Sequence, residues 1–129
     1  MKLQPDRIQG QTVTGHGAGW IGLDGEKFHQ NMMITWSGVR EVWHEDFNDF
    51  EHSPLLPTLL HAQPEILLLG YASAGNALSP KQLAPLWARN IGVETMDTAA
   101  ACRTYNILAA ENRKVAAILL IYGQAIEKS

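Results

Sequence analysis

Apolar positions change rhythm midway along the chain. From residue 7 to 45, Val, Ile, Thr and Trp fall in short stretches separated by glycine and other turn formers, the punctuation of β-strands. In "WIGLDGEKF", Asp24-Gly25 lies between two such stretches and predicts a hairpin, because a type I′ turn requires positive φ at both central residues. "QTVTGHGAGW" places Gly15, Gly17 and Gly19 where the chain must turn sharply, and "MMITWSGVREVW" predicts two further strands joined at Ser37-Gly38. The N-terminal half is expected to form a small, mostly antiparallel sheet.

Beyond the polar, acidic "EDFNDFEHSP", the segment "PLLPTLLHAQ" has helical apolar spacing, and Pro57 in its first turns keeps the helix short. The run "EILLLG" is continuous, as for a strand covered on both faces. Ser79-Pro80-Lys81-Gln82 then opens a helix: Ser79 suits the N-cap, Pro80 the first helical position, and Gln82 completes a capping box. Leu83, Leu86 and Trp87 share one face of it, and Gly92 is expected to end it. Val93 to Met96 predict a strand. Asp97 or Thr98 caps a helix running to about Glu111, Asn112 is a left-handed terminator, and Val115 to Leu120 form the last strand. This strand–helix–strand–helix–strand order implies parallel pairing of its first two strands through a right-handed crossover.

Composition narrows the class. A chain of 129 residues fits one domain, 1–129, and its 46% hydrophobic and 18% charged residues suit a packed core that needs no disulfide or metal staple. A net charge of −3 with scattered basic residues gives no electrostatic footprint for nucleic acid. The single cysteine excludes an intramolecular disulfide and fits a reducing compartment. The segment MKLQPDRIQG has no apolar leader core, and the longest apolar run, Val115 to Tyr122, falls far short of the ~20 residues that span a bilayer. A cytoplasmic protein without membrane insertion is expected.

The phrase from Gly92 to Asn106, "GVETMDTAAACRTYN", together with "VAAILL", resembles the Mth-domain family. That family includes mitochondrial complex I assembly factor 3, the adipogenesis-associated Mth-domain-containing protein and many bacterial and archaeal proteins. The Gly-rich hairpin, "SGVREVW" and "PEILLLG" match in order and spacing, so the likeness extends over most of the chain. Tyr71-Ala72 follows "LLLG" where members tend to carry Thr-Gly, so no glycine-loop role transfers to this chain. The resemblance implies a bacterial member with a three-layer α/β/α fold, a mixed central sheet and an additional small β-layer from the N-terminal half. It implies no established catalytic mechanism.

Candidate chemistry concentrates where the strands end. Ligands of open α/β sheets favour the crevice outside the carboxyl ends of the strands, which singles out Gly70 with the "GYASAGN" loop, and Asp97 and Thr98 after the next strand. Asp97 and Thr98 could equally do no more than cap a helix. Arg103 could anchor a carboxylate or a partner, or pair with Glu94, Asp97 or Glu111. Tyr105 could be a binding residue or a satisfied core tyrosine. Cys102 is a weak candidate for a reactive thiol. It lies five residues beyond Asp97, past the first turn where the helix dipole acts most strongly, and it shares a face with Tyr105 and Ala109.

"HEDFNDFEH", residues 44–52, carries ligand types but neither HExxH spacing nor the glycine turn of a calcium loop, so no metal is expected. Phe47 and Phe50 could anchor it to the core or to a partner. His16, His29 and His61 are isolated in sequence. No cofactor motif is present. Two functions remain open: a non-enzymatic assembly or protein-interaction factor, as the resemblance implies, or a small-molecule-binding protein or enzyme using the crevice. The first calls for an exposed apolar patch, with Trp36 or Trp43 as candidates, and allows a homodimer through an exposed strand edge.

Overall fold

The Asp24-Gly25 turn forms with φ of 50° and 90° at its two central residues. Around it β1 (Val13–Gly17), β2 (Trp20–Leu23) and β3 (Glu26–Phe28) pair antiparallel into a separate three-stranded sheet. The structure, a computed structural model, describes residues 11–45, 47–71 and 78–121. The "GYASAGN" loop beyond Tyr71 lies outside the described residues, as does the N-terminal decapeptide.

A five-stranded mixed sheet forms the centre, in the order β5-β4-β8-β6-β7. Its strands are β4 (Met32–Thr35), β5 (Arg40–Val42), β6 (Ile66–Tyr71), β7 (Gly92–Asp97) and β8 (Val115–Leu119). β4 and β5 pair antiparallel around Ser37-Gly38, with Gly38 at φ 102°. β6 pairs parallel with both β7 and β8, and β4 closes onto β8 antiparallel. The unbroken burial of Leu67 to Gly70 and of Val115 to Leu119 follows from this central place, covered on both faces.

Alternation along the strands sorts the core into two layers. On one face Leu68, Ala117 and Leu119 meet α3 (Thr98–Ala110) through Ala101, Cys102 and Tyr105, and meet the small sheet through Val13, Ile21 and Leu23. On the other face Leu67, Leu69, Ala116 and Ile118 meet α1 (Leu56–Ala62), α2 (Pro80–Trp87) and a 3₁₀ helix, Phe47–His52. The result is a three-layer α/β/α arrangement in which the extra β-layer shares its side with α3.

The helix ends are written locally. Ser79 and Gln82 form the capping box of α2, with Ser79 Oγ accepting from the Gln82 amide and Gln82 Oε1 accepting from the Ser79 amide. Asn112 at φ 63° ends α3 in the left-handed region, where the Arg113 amide reaches back to Leu108 O and the Asn112 amide to Ala109 O, a Schellman closure. The same motif ends α2, and here the sequence expectation needs correcting. Asn90, not Gly92, takes the positive φ (61°), with the Ile91 amide on Leu86 O, while Gly92 is already the first residue of β7.

The acidic stretch before α1 folds into a short 3₁₀ helix. Its 3₁₀ helix buries Phe47 and Phe50 fully, so both phenylalanines anchor it to the core. Phe50 packs on Trp43 with ring centroids 5.7 Å apart, and Phe47 meets Tyr71 edge-on at 5.5 Å. Gln82 Nε2 holds the turn by donating to Phe47 O (3.2 Å), Asn48 O (3.1 Å) and Glu51 Oε1 (2.7 Å). That hydrogen bond is the leading reason the Glu51 carboxyl lies below the ordinary carboxylate range.

A polar clamp joins the small sheet to the central one. Arg40 of β5 donates through Nε to Gln11 Oε1 and through Nη2 to Asp24, while Gln11 Nε2 donates to Thr35 O and Val39 O. Tyr105 completes it from α3, its hydroxyl donating to Gln11 O at 3.2 Å.

Candidate functional site: the crevice at the ends of β6 and β7

β6 and β7 run parallel in a register that pairs Tyr71 with Asp97 at their carboxyl ends. The helix that follows β6, α2, packs on one face of the sheet, and the helix that follows β7, α3, packs on the other. Where successive connections leave to opposite faces, a crevice opens at the strand ends. A cavity of about 360 Å³ lies there, bounded by Tyr71, Asp97, Thr98, Ala99 and Ile121. Its opposite wall is the β1–β2 hairpin, which contributes His16, Gly17, Ala18, Trp20 and Ile21.

The backbone of this region is tightly drawn. A Cβ on Gly70 would lie 3.1 Å from Thr98 Cα and 3.2 Å from Ala101 Cβ, so the missing side chain lets α3 settle onto β6. Thr98 Oγ1 lies 3.0 Å from Tyr71 O and 2.7 Å from Leu120 O, and its single proton bridges the ends of β6 and β8. Asp97 is the N-cap of α3, its Oδ1 accepting from the Ala100 amide at 2.8 Å. Ile121 is fixed by the Asn31 side chain, whose Oδ1 accepts from its amide at 2.7 Å.

The sequence candidates therefore separate. Asp97 and Thr98 line the crevice, while Gly70 lies beneath it as a packing position. Arg103 is exposed on α3 and makes no ion pair within 4 Å among the described residues, so the pairings open to it in sequence with Glu94, Asp97 or Glu111 do not form. Tyr105 is fully buried at the Gln11 clamp, and burial pushes its hydroxyl pKa far up.

Cys102 is 2% exposed, and its thiol is pushed up to about 11. Burial is the main cause; Asp97 adds to it and Arg103 opposes it. A thiol in this setting stays protonated at neutral pH and is a poor nucleophile.

Sequence reasoning missed the hairpin wall. In the β1–β2 register Gly17 stands opposite Trp20, and the indole lies across the space that side chains at Gly15 and Gly17 would take. A Cβ on Gly17 would run into the indole nitrogen. The signal was the Gly-x-Gly alternation opposite a tryptophan, legible only once the pairing register is known. Lys27 Nζ lies over the ring, 4.4 Å from its centroid. Tyr71 also lines the crevice. Burial raises its hydroxyl pKa, and a hydrogen bond with the Thr95 side chain opposes the shift.

The tryptophans fall differently from expectation. Trp43 is 1% exposed and belongs to the core, and Trp36 is half-buried against it. Among the described residues the exposed large apolar side chains are Trp87 on α2 (51%) and Ile107 on α3 (58%). Among the described residues no His, Cys, Asp and Glu group is arranged to hold a metal ion, and no helix is long and apolar enough to cross a membrane.

A mixed sheet flanked by helices, with a three-stranded sheet packed beside α3 on one face, defines a Mth938-like α/β protein. A Bordetella pertussis protein described as a Mth938-like domain is 32% identical and superposes with a TM-score of 0.74 over 99% of this chain and 97% of its own. A Bordetella parapertussis protein is 34% identical, with a TM-score of 0.73 over 91% and 99% of the two chains. The chain belongs to the family described as Protein of unknown function (DUF498/DUF598), whose profile matches residues 13–120. It is also 42% identical over 62 residues to a Danio rerio protein named NADH dehydrogenase [ubiquinone] 1 alpha subcomplex assembly factor 3. That match takes in 48% of this chain and 36% of the zebrafish protein, so the chain covers little more than a third of that relative's length.

Proposed function

We propose that this protein is a non-enzymatic assembly or protein-interaction factor, a single 1–129 domain acting in a bacterial cytoplasm. The observation that carries the reading is how three of the sequence candidates are engaged. Asp97 is engaged by the Ala100 amide, Thr98 by two strand-end carbonyls, and the Cys102 thiol is buried and held protonated. A catalytic site needs a nucleophile or base free to meet substrate; Thr98 instead ties α3 to the strand ends, Asp97 caps that helix and Cys102 is packed in the core. The likeness to a protein named as an assembly factor supports the same direction. Trp87 offers an apolar anchor to a partner, and β7, an edge strand, offers its unpaired backbone to a partner or a second copy.

The test is tagged capture from the native cell, run in parallel with Trp87→Asp, with mass spectrometry of proteins and co-purified small molecules. A stoichiometric protein partner that is lost in the variant is the expected result. A reproducible metabolite with no protein partner would sink the proposal. Sedimentation velocity across a concentration series tests the homodimer, which requires a concentration-dependent shift.

A further inference from the structure

The crevice has features that a protein-docking role does not use. Its volume of about 360 Å³ lies in the range of small-molecule sites and equals roughly a dozen waters. Ile21, Ile121 and Ala99 line it with apolar atoms, and Trp20 borders it with its indole seated over Gly15 and Gly17 of β1. Among the described residues, Asp97 is the one lining side chain that carries a formal charge at neutral pH when histidine is neutral. The macrodipole of α3 offsets about half a unit of that charge. The nearby cations do not line the crevice. Lys27 lies over the Trp20 ring, and Arg103 is exposed on α3. Asp97 Oδ1 is committed to the Ala100 amide, while its second oxygen has no hydrogen bond among the described residues.

We propose that the crevice between the β1–β2 hairpin and the start of α3 is a binding site for a small primary amine with an apolar body. The body fills the space between Trp20 and Ile121, and the ammonium meets the free oxygen of Asp97. An anion at the same place would face the Asp97 carboxylate.

Phenethylamine is the probe, titrated into the ¹⁵N-labelled full chain, with 3-phenylpropionate as its anionic counterpart. The expected result is saturable millimolar binding of the amine, with shifts centred on the Gly17, Thr98 and Ala99 amides and the Trp20 indole N–H. Asp97→Asn keeps the helix cap, because asparagine caps as well as aspartate, and weakens the amine about threefold to fivefold. Ala99→Leu fills the interior and removes saturation. Unchanged affinity in Asp97→Asn, equal or tighter binding of the propionate, shifts centred elsewhere, or no saturation would each overturn the proposal. These readouts are independent of any protein partner.

Discussion

Thr98→Val is a near-isosteric change that removes one hydroxyl from the junction of three elements. Oγ1 lies within hydrogen-bond distance of Tyr71 O and Leu120 O, at the ends of β6 and β8 and at the first residue of α3. The valine methyl fills the same volume, so no cavity term enters. The loss is one net hydrogen bond, about 0.5–1.5 kcal/mol, plus part of the cost of leaving a half-buried carbonyl without a donor. The total is about 1–2.5 kcal/mol. For 129 residues the entropy of unfolding converts this to roughly 4–9 °C in Tm. Urea unfolding followed by far-UV circular dichroism gives the free energy directly, and calorimetry gives Tm. Thr98→Ser is the control, since it keeps the hydroxyl and loses a methyl. If Thr98→Val equals the wild type within about 0.3 kcal/mol, or Thr98→Ser costs more than Thr98→Val, the hydroxyl does not hold the strand ends together and the reasoning fails.

Gln82→Ala removes half of a capping box and the donor that pins the 3₁₀ turn, so it should cost about 1–2 kcal/mol and raise hydrogen exchange at residues 47–52 before the rest of the molecule. Gly17→Ala should displace the Trp20 indole with little loss of stability, because the colliding atoms belong to a half-exposed side chain; a shifted indole resonance with an unchanged Tm is the expected pair of results. The Cys102 thiol is raised from 9.0 to about 11, so between those values the unfolded chain loses the proton while the folded one keeps it, and stability falls as pH rises. The loss reaches on the order of 2 kcal/mol near pH 11, it should shrink in Cys102→Ala relative to that variant's own value at pH 7, and thiol labelling of the native protein at neutral pH should be limited by opening of the fold.

What the residues determined by themselves was local. Asp24-Gly25 wrote its hairpin, Ser79 with Gln82 wrote a helix start, and Asn112 wrote a helix end, because each depends on the φ or the hydrogen-bonding reach of residues within four positions. The continuous apolar runs at 66–70 and 115–119 announced strands buried on two faces for the same kind of reason. At the end of α2 the choice between Asn90 and Gly92 went the other way, since the first positive φ that lets Ile91 close back onto Leu86 ends the helix, and glycine is then free to begin a strand.

The crevice was half legible. Asp97 and Thr98 could be placed at a strand end from order alone. The other half required tertiary structure, because His16, Gly17 and Trp20 come from a sheet some eighty residues away in sequence and reach the site only when that sheet leans on α3. The same long-range packing decided that Gly70 is a seat for a helix, that Trp43 is core, and that Gln11 and Arg40 clamp two sheets. Backbone preferences act between neighbours, so a sequence states them outright. Which surfaces meet depends on apolar faces that many partners could cover equally well, and only the folded molecule chooses among them.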